Sequence, residues 1–219
     1  MTTFHTEPQG EPLTFDLGGG LRCTKQSLGQ MDNNGYWLRA QTGPSVWIDA
    51  AAEAEVILGL LDGNHLDTVV TTHRHHDHIG ATTAVLDSTG AEGLCGTPDV
   101  EAIEADTGTT QRGVWDGDTV AVGGATLDVI GIVGHTPGSI TLAWAPKDGP
   151  AHLFTGDSLF PGGVGKTWSP DDFATLIEDV SSKIFDRFGD DTVVHPGHGD
   201  ATTLGAERAS LAEWRERGW

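Results

Sequence analysis

The stretch Thr71-Thr72-His73-Arg74-His75-His76-Asp77-His78-Ile79-Gly80 gathers four imidazoles and a carboxylate within six positions. Imidazole nitrogen with carboxylate oxygen suits zinc, iron or manganese rather than calcium or magnesium. Spacing divides the set. His73 and His75, two apart in extended backbone, point to one side and can grip one cation. Asp77 and His78 lie past the turn, where the chain enters a helix, and can reach a second cation nearby. His76 then points elsewhere and is not counted as a ligand. A plain surface loop has no reason to crowd four imidazoles, which repel one another once protonated. Nor is an expression tag embedded between a Val-rich strand and a helix.

Four ligands cannot close two sites, so later segments must contribute. Three qualify, each a strand end followed by a glycine turn: Gly134-His135-Thr136-Pro137-Gly138-Ser139, Phe154-Thr155-Gly156-Asp157-Ser158 and Val194-His195-Pro196-Gly197-His198-Gly199. Taken singly, a His or Asp beside Gly is ordinary turn chemistry. Three of them downstream of the cluster carry more weight together. His195, next to Pro196, reads as packing beside the site rather than as a ligand.

The order His-x-His-x-Asp-His, then Gly-His-Thr-Pro-Gly-Ser, Thr-Gly-Asp and Pro-Gly-His-Gly resembles the metallo-β-lactamase fold superfamily. It is most similar to the glyoxalase II-like members, the hydroxyacylglutathione hydrolases, and the matching motifs run from Thr71 to Gly199. The resemblance implies two divalent metal ions, zinc first, with iron or manganese as alternatives. His73, His75 and His135 would hold the first, Asp77, His78 and His198 the second, and Asp157 would bridge both. It also implies an α/β fold, an αββα sandwich of two mixed sheets flanked by helices.

Two cations about 3.5–4 Å apart can hold one hydroxide between them and bring the pKa of its parent water toward neutrality. The implied reaction is attack of that hydroxide on the carbonyl of a thioester, such as an S-2-hydroxyacyl thiol. Asp77 is the candidate catalytic residue, orienting the hydroxide and relaying its proton. A thiolate leaving group needs little acid assistance, since thiol pKa values lie near ~8.5. Lys166, in the glycine-rich loop Phe160-Pro161-Gly162-Gly163-Val164-Gly165-Lys166-Thr167, is a scarce cation suited to a substrate carboxylate. It falls where glyoxalase II-like enzymes often place a basic residue.

Other members of the fold are weighed on the same residues. Many β-lactamases carry Cys or Ser where Asp157 stands, and nucleases of this fold are disfavoured by the acidic charge. Lactonases share the ligand types but add a Tyr near the site, and Tyr36 is the single tyrosine, far upstream. A persulfide dioxygenase, with one iron on His73, His135 and Asp157, is the main enzymatic alternative. A non-catalytic metal-binding domain is the alternative from another class.

The elements that must position these residues are short. Strand-like runs, rich in Val, Ile, Leu and Thr, occur at Leu13–Phe15, Tyr36–Ala40, Ser45–Ile48, Leu66–Thr71, Gly93–Cys95, Thr119–Val122, Thr126–Ile132, Ser139–Trp144, His152–Thr155 and Thr192–His195. Helical patterns cover Ala51–Leu61, His78 to about Asp87, Phe173 to Phe188, and Gly205 to Arg217. Ser169-Pro170-Asp171-Asp172 is a helix start, with a Ser cap, Pro in the first turn and acids at the positive dipole end. This order suggests two sheets face to face with helices outside, and pattern alone also permits an ordinary α/β domain.

The 219 residues are expected to form one domain, 1–219, without the C-terminal helical domain of full-length glyoxalase II, since 21 residues follow His198. Asp and Glu number 32 against 12 Lys and Arg, a net charge of −20 that repels phosphate backbones and anionic lipid. The expected partner is therefore a small thioester or ester, not nucleic acid or membrane. No apolar run approaches the ~20 residues that span a bilayer, and Met1–Pro8 lacks the pattern of a secretory signal. Cys23 and Cys95, the two cysteines, read as buried free thiols of a reducing compartment, and a cytoplasmic location is expected.

Overall fold

Alternation of apolar side chains along short strands sets the layers of the computed structural model, which describes residues 4–7 and 10–218. Of the N-terminal stretch read above, Met1–Thr3 and Pro8 lie outside the described residues. The first sheet runs, in chain order, through β1 (Leu13–Gly18), β2 (Leu21–Leu28), β3 (Asn33–Arg39), β4 (Val46–Ile48), β5 (Thr68–Thr71), β6 (Glu92–Gly96) and β7 (Gln111–Val114). Its first four strands pair antiparallel, and β4 to β7 pair parallel. Parallel neighbours need crossovers, supplied by α1 (Ala54–Leu61), by α2 (His76–Ile79) with α3 (Thr82–Thr89), and by α4 (Val100–Thr107).

The second sheet contains β8 (Thr119–Val122), β9 (Ala125–Gly131), β10 (Ile140–Trp144), β11 (His152–Gly156), β14 (Val193–Pro196) and β15 (Thr202–Thr203). Its order is β15-β14-β11-β10-β9-β8, with the β11–β14 pair parallel. A separate hairpin of β12 (Leu159–Phe160) and β13 (Gly163–Val164) follows β11. The crossover to β14 is α5 (Pro170–Asp179), continued by a π-helical segment, Val180–Phe185. The last helices are α6 (Leu204–Glu207) and α7 (Leu211–Arg217).

In β4, Val46 and Ile48 face the second sheet and meet Leu142 and Phe154, while Trp47 turns outward. In β5, Val70 faces inward and Val69 lies under α1 and α3 with Ile57 and Val85. The far face of the second sheet buries Ile130, Leu153 and Val194 against Leu176, Ile177 and Trp214. Sheets buried on both faces need apolar residues at successive positions, which is why these strands read as nearly continuous apolar runs. The result is the expected αββα sandwich of two mixed sheets.

Differences from the sequence expectation have local causes. Cys23 reads as strand-like, but β2 is missing from the strand runs because Thr24, Lys25, Gln26 and Ser27 look solvent-facing, yet all four are buried. Lys25 Nζ is satisfied by the carbonyls of Phe4 (3.0 Å) and Gly199 (2.6 Å). α4 has only Ile103 fully buried, too weak an apolar stripe to be seen. α1 begins at Ala54 rather than Ala51, since Glu53 has φ 53°, outside helical space. The helix expected from His78 is two, α2 and α3, and the last helix is interrupted at Arg208–Ser210. α5 starts as expected, the Asp172 N–H donating to Ser169 Oγ at 3.1 Å. Cys23 and Cys95 are buried and unpaired. No helix among the described residues is long and apolar enough to cross a membrane.

Strand direction now places the chemistry. β4, β5 and β6 run parallel, so their C-terminal ends share one edge, and β3, antiparallel to β4, begins there. In the second sheet β9, β11 and β14 also run in a common direction. The chain segments leaving these ends carry every candidate ligand.

Candidate metal centre

Thr72 and His73 leave the end of β5, His75 caps α2, and Asp77 and His78 lie within it. His135 follows β9, Asp157 follows β11 and His198 follows β14. These seven side chains meet in three overlapping groups, each with its donor atoms within 4.8 Å of one another: His73–His75–His135, His73–His78–Asp157 and Asp77–His78–His198.

The individual spacings are tighter. Nε2 of His73 lies 3.3 Å from Nε2 of His135, and Nε2 of His78 lies 3.3 Å from Nε2 of His198. Asp157 stands between the pairs, Oδ1 3.4 Å from His78 Nε2 and Oδ2 3.6 Å from both His135 Nε2 and His198 Nε2. Asp77 Oδ2 is 3.1 Å from His198 Nε2 and 3.6 Å from His78 Nε2. Donors held tetrahedrally at about 2.1 Å from one cation are about 3.4 Å apart. Asp157 Oδ1 is buried with no hydrogen bond among the described residues, a costly state for a carboxylate oxygen that no cation attends. The donor set therefore fits divalent cations.

Backbone and side-chain partners aim these rings. His135 Nδ1 donates to the Lys166 carbonyl at 2.7 Å, and His198 Nδ1 to the Met31 carbonyl at 2.9 Å. In both rings Nε2 is thereby left as the atom facing the centre. Asp49, at the end of β4, accepts from Thr72 N (2.7 Å), Thr72 Oγ1 (2.8 Å) and His78 Nδ1 (2.8 Å). Asn33 Nδ2 donates to Asp77 Oδ2 at 3.0 Å. A Cβ on Gly197 would come within 2.2 Å of Asp157 Oδ1, so only glycine lets this turn pass so near the carboxylate.

Electrostatics separates the two halves. Burial holds His73 well below the usual imidazole range, and burial, with the repulsion that His135 exerts when protonated, brings His75 down to about 4. His135 is also lowered, by burial above all. These three rings are neutral at pH 7, with lone pairs free. Burial acts on His78 too, but Asp49 and Asp157 overcome it and push the ring up to about 10. His198 is raised in the same way, its burial outweighed by Asp77 and Asp157.

The remaining expectations sort plainly. His76 is largely solvent-exposed and outside all three groups. His195 is fully buried between aromatic rings and serves packing. Tyr36 is far upstream in sequence yet near the centre in space, where its hydroxyl is spent on the Pro196 carbonyl at 2.6 Å. Lys166 Nζ lies 4.4 Å from the centre of the Trp168 ring, and Trp168, 65% exposed, stands beside His75. A cavity of about 190 Å³ opens there, lined by Arg74, His135, Pro137, Trp168 and Asp172. A larger hollow of about 490 Å³ beside α1 contains none of the cluster.

Asp49, Asn33, the Met31 carbonyl and Trp168 were not anticipated. The available signal for Asp49 was an acid directly after the apolar run Val46-Trp47-Ile48, at the edge where the ligands gather.

Comparison with known proteins identifies the family. The chain is 30% identical over 185 residues to hydroxyacylglutathione hydrolase GloC of Haemophilus influenzae, covering 74% of this chain and 84% of that one. It is 33% identical over 160 residues to a hydroxyacylglutathione hydrolase of Polaromonas, covering 72% of this chain but 58% of the relative's length. Among solved structures, the BLEG-1 B3 metallo-beta-lactamase superposes with TM-score 0.71 at 26% identity, over 84% of this chain and 95% of that one. TTHA1623 in a di-iron-bound form gives TM-score 0.68 at 26% identity, over 84% and 96%. ETHE1 from Myxococcus xanthus, at 24% identity and TM-score 0.75 over 89% and 84%, shares the fold. The metallo-beta-lactamase superfamily profile matches residues 29–200, a span that contains all seven clustered side chains, and the chain belongs to that superfamily.

Proposed function

We propose that this protein is a binuclear metal-dependent hydrolase acting on a small thioester of the S-2-hydroxyacyl thiol type. The observation that carries the reading is the pair of imidazole-rich groups spaced for one cation each, with the Asp157 carboxylate between them. His73, His75 and His135 would hold one cation, Asp77, His78 and His198 the other, and Asp157 both. Two divalent cations, zinc or iron, supply an activated water and polarise the scissile carbonyl when bound. The relatives named hydroxyacylglutathione hydrolase support the thioester over other acyl compounds.

The chain's own residues then have distinct work. Asp77 presents a carboxylate fixed by Asn33, partly open to solvent, and orients the attacking water and takes up its proton. The Lys166 carbonyl keeps His135 aimed inward, while its ammonium and the Trp168 indole stand at the mouth for the substrate's carboxylate and chain. A thiolate leaves without a dedicated acid because its thiol pKa is near ~8.5.

The test is metal analysis of the protein as isolated, paired with hydrolysis of S-lactoyl thioesters of several cellular thiols. About two equivalents of metal per chain and thioester turnover are expected. Oxygen uptake with a persulfide, and no thioester turnover, would replace the hydrolase by a dioxygenase on His73, His135 and Asp157. Inertness of the metal-replete protein toward thioesters, esters and lactones would end the enzymatic reading.

A further inference from the structure

The three imidazoles of the first group come from different sheets. His73 and His75 leave β5, and His135 leaves β9. One backbone bond, Ile140 N to the Thr72 carbonyl at 2.9 Å, crosses between their segments. The side chain that joins the two loops is Asp99, wholly buried in the turn after β6.

Asp99 Oδ2 accepts from Arg74 N at 3.1 Å and from Thr136 Oγ1 at 2.6 Å. Its Oδ1 accepts from Gly138 N at 3.0 Å and faces Arg74 Nε at 3.8 Å. Arg74 N belongs to the residue between the two ligands of the first loop, and Thr136 directly follows His135. Every partner donates, which suits a group that only accepts.

The glycine of His-Thr-Pro-Gly-Ser makes room for this contact. A Cβ on Gly138 would lie 2.4 Å from Asp99 N and 2.7 Å from Asp99 Cγ, nearer than any side chain tolerates. Gly138 is therefore kept free of a side chain by packing against Asp99.

We propose that Asp99 is a positioning residue for the three-histidine group alone, fixing the loop of His73 and His75 against the loop of His135. Among the described residues, the hydrogen bonds and the ion pair of its side chain go to those two loops. The second group is held by other means, Asp49 on His78, Asn33 on Asp77 and the Met31 carbonyl on His198. The proposal rests on the metal-centre reading above, and its test tells the two apart: a wild-type chain that binds no cobalt counts against the metal centre, whereas cobalt binding indifferent to Asp99 counts against the positioning role alone.

The experiment titrates cobalt(II) into the full chain, read by visible ligand-field bands and by competition with a chelator. A His198→Ala background keeps the first group intact, and a His75→Ala background keeps the second. Asp99→Asn preserves size but turns an amide N–H₂ toward the buried donors. It should weaken cobalt binding by about tenfold to a hundredfold and alter the bands in the first background, with a change under about twofold in the second. Thr136→Val removes a single donor with Asp99 in place and should give a smaller loss with the same one-sidedness. This milder variant decides the matter if Asp99→Asn does not fold. Equal weakening in both backgrounds, or an unchanged first background, overturns the proposal.

Discussion

His152 and His195 sit within β11 and β14, His73 and His78 beyond the end of β5, and all four are at most 4% exposed. The first pair is packed into the core. His152 Nδ1 and His195 Nε2 share a hydrogen bond at 3.0 Å, and the His195 ring stacks on Phe154, Phe15 and His152. Burial, with nothing strong to oppose it, lowers both rings, His152 to about 4. His78 is as deeply buried, but Asp49 and Asp157 bring carboxylate oxygens to 2.8 and 3.4 Å and reverse the direction. Burial by itself makes an imidazole a neutral core residue. Convergence of ring nitrogens on one point, with carboxylates beside them, makes it a candidate ligand.

The comparison breaks most completely at Asp157. Asp157→Ala deletes the only carboxylate among the described residues that touches both groups, leaving their imidazoles without a shared anion. Loss of at least one metal equivalent is expected, with a fall in turnover on the order of a thousandfold, several kcal/mol of transition-state stabilisation. Retained stoichiometry measured by elemental analysis would show that the carboxylate does not bridge.

The buried pair of His152 and His195 gives the next effect, in stability. An unfolded His152 takes its proton near pH 6.5, and the folded ring declines it until about pH 4. The unfolded state therefore binds more protons in that window, and the stabilisation present above pH 6.5 is lost as pH falls toward 4. His152→Gln removes this term. Denaturant unfolding of both proteins in chelator should show the wild-type advantage shrinking by about 3 kcal/mol between pH 7 and pH 4. A difference that is flat with pH would mean the ring is already solvated in the native state.

Asp49→Asn is expected to act more mildly, weakening metal binding by about tenfold to a hundredfold, because it unfastens His78 without deleting a ligand. Its measurement is the same chelator competition. An effect confined to folding stability, with affinity unchanged, would make Asp49 a core hydrogen-bond acceptor like any other.

How far these regions were legible in the chain follows from where their partners lie. His73, His75, Asp77 and His78 could be seen because they are contiguous and because extended backbone alone puts two of them on one side. The order of short apolar strands and helical patterns suggested two facing sheets with helices outside but also permitted an ordinary α/β domain, and the αββα layering itself came from the resemblance of the motifs. Asp49 and Asn33 left little trace, since each is a lone polar residue whose partners come from elsewhere: Asp49 meets Thr72 and His78, and Asn33 meets Asp77 and His198. β2 escaped for a related reason. Its Lys25 reads as surface until Gly199, 174 positions away, supplies the carbonyl that satisfies it. Local pattern reports chemistry whose geometry is local. Buried polar contacts between distant segments become visible only when the sheets bring their ends to one edge.

Lys166 offers the finest test of the boundary between the cluster and its surroundings, because its two ends serve different purposes. Its carbonyl aims His135, and any residue provides a carbonyl. Its ammonium, above Trp168 at the mouth, is one of 12 Lys and Arg in a chain of charge −20, so a local cation there selects against the prevailing field. Lys166→Ala should therefore leave metal content and turnover of neutral thioesters intact, while raising KM several-fold for thioesters bearing a carboxylate, about 1 kcal/mol at an exposed site. Steady-state kinetics on a matched acidic and neutral pair, repeated at raised salt, separates the cases. If KM rises equally for both substrates, the side chain acts by packing on Trp168. If only the acidic substrate suffers, and the difference closes with salt, the ammonium binds the carboxylate and the ring of Trp168 serves to hold it in place.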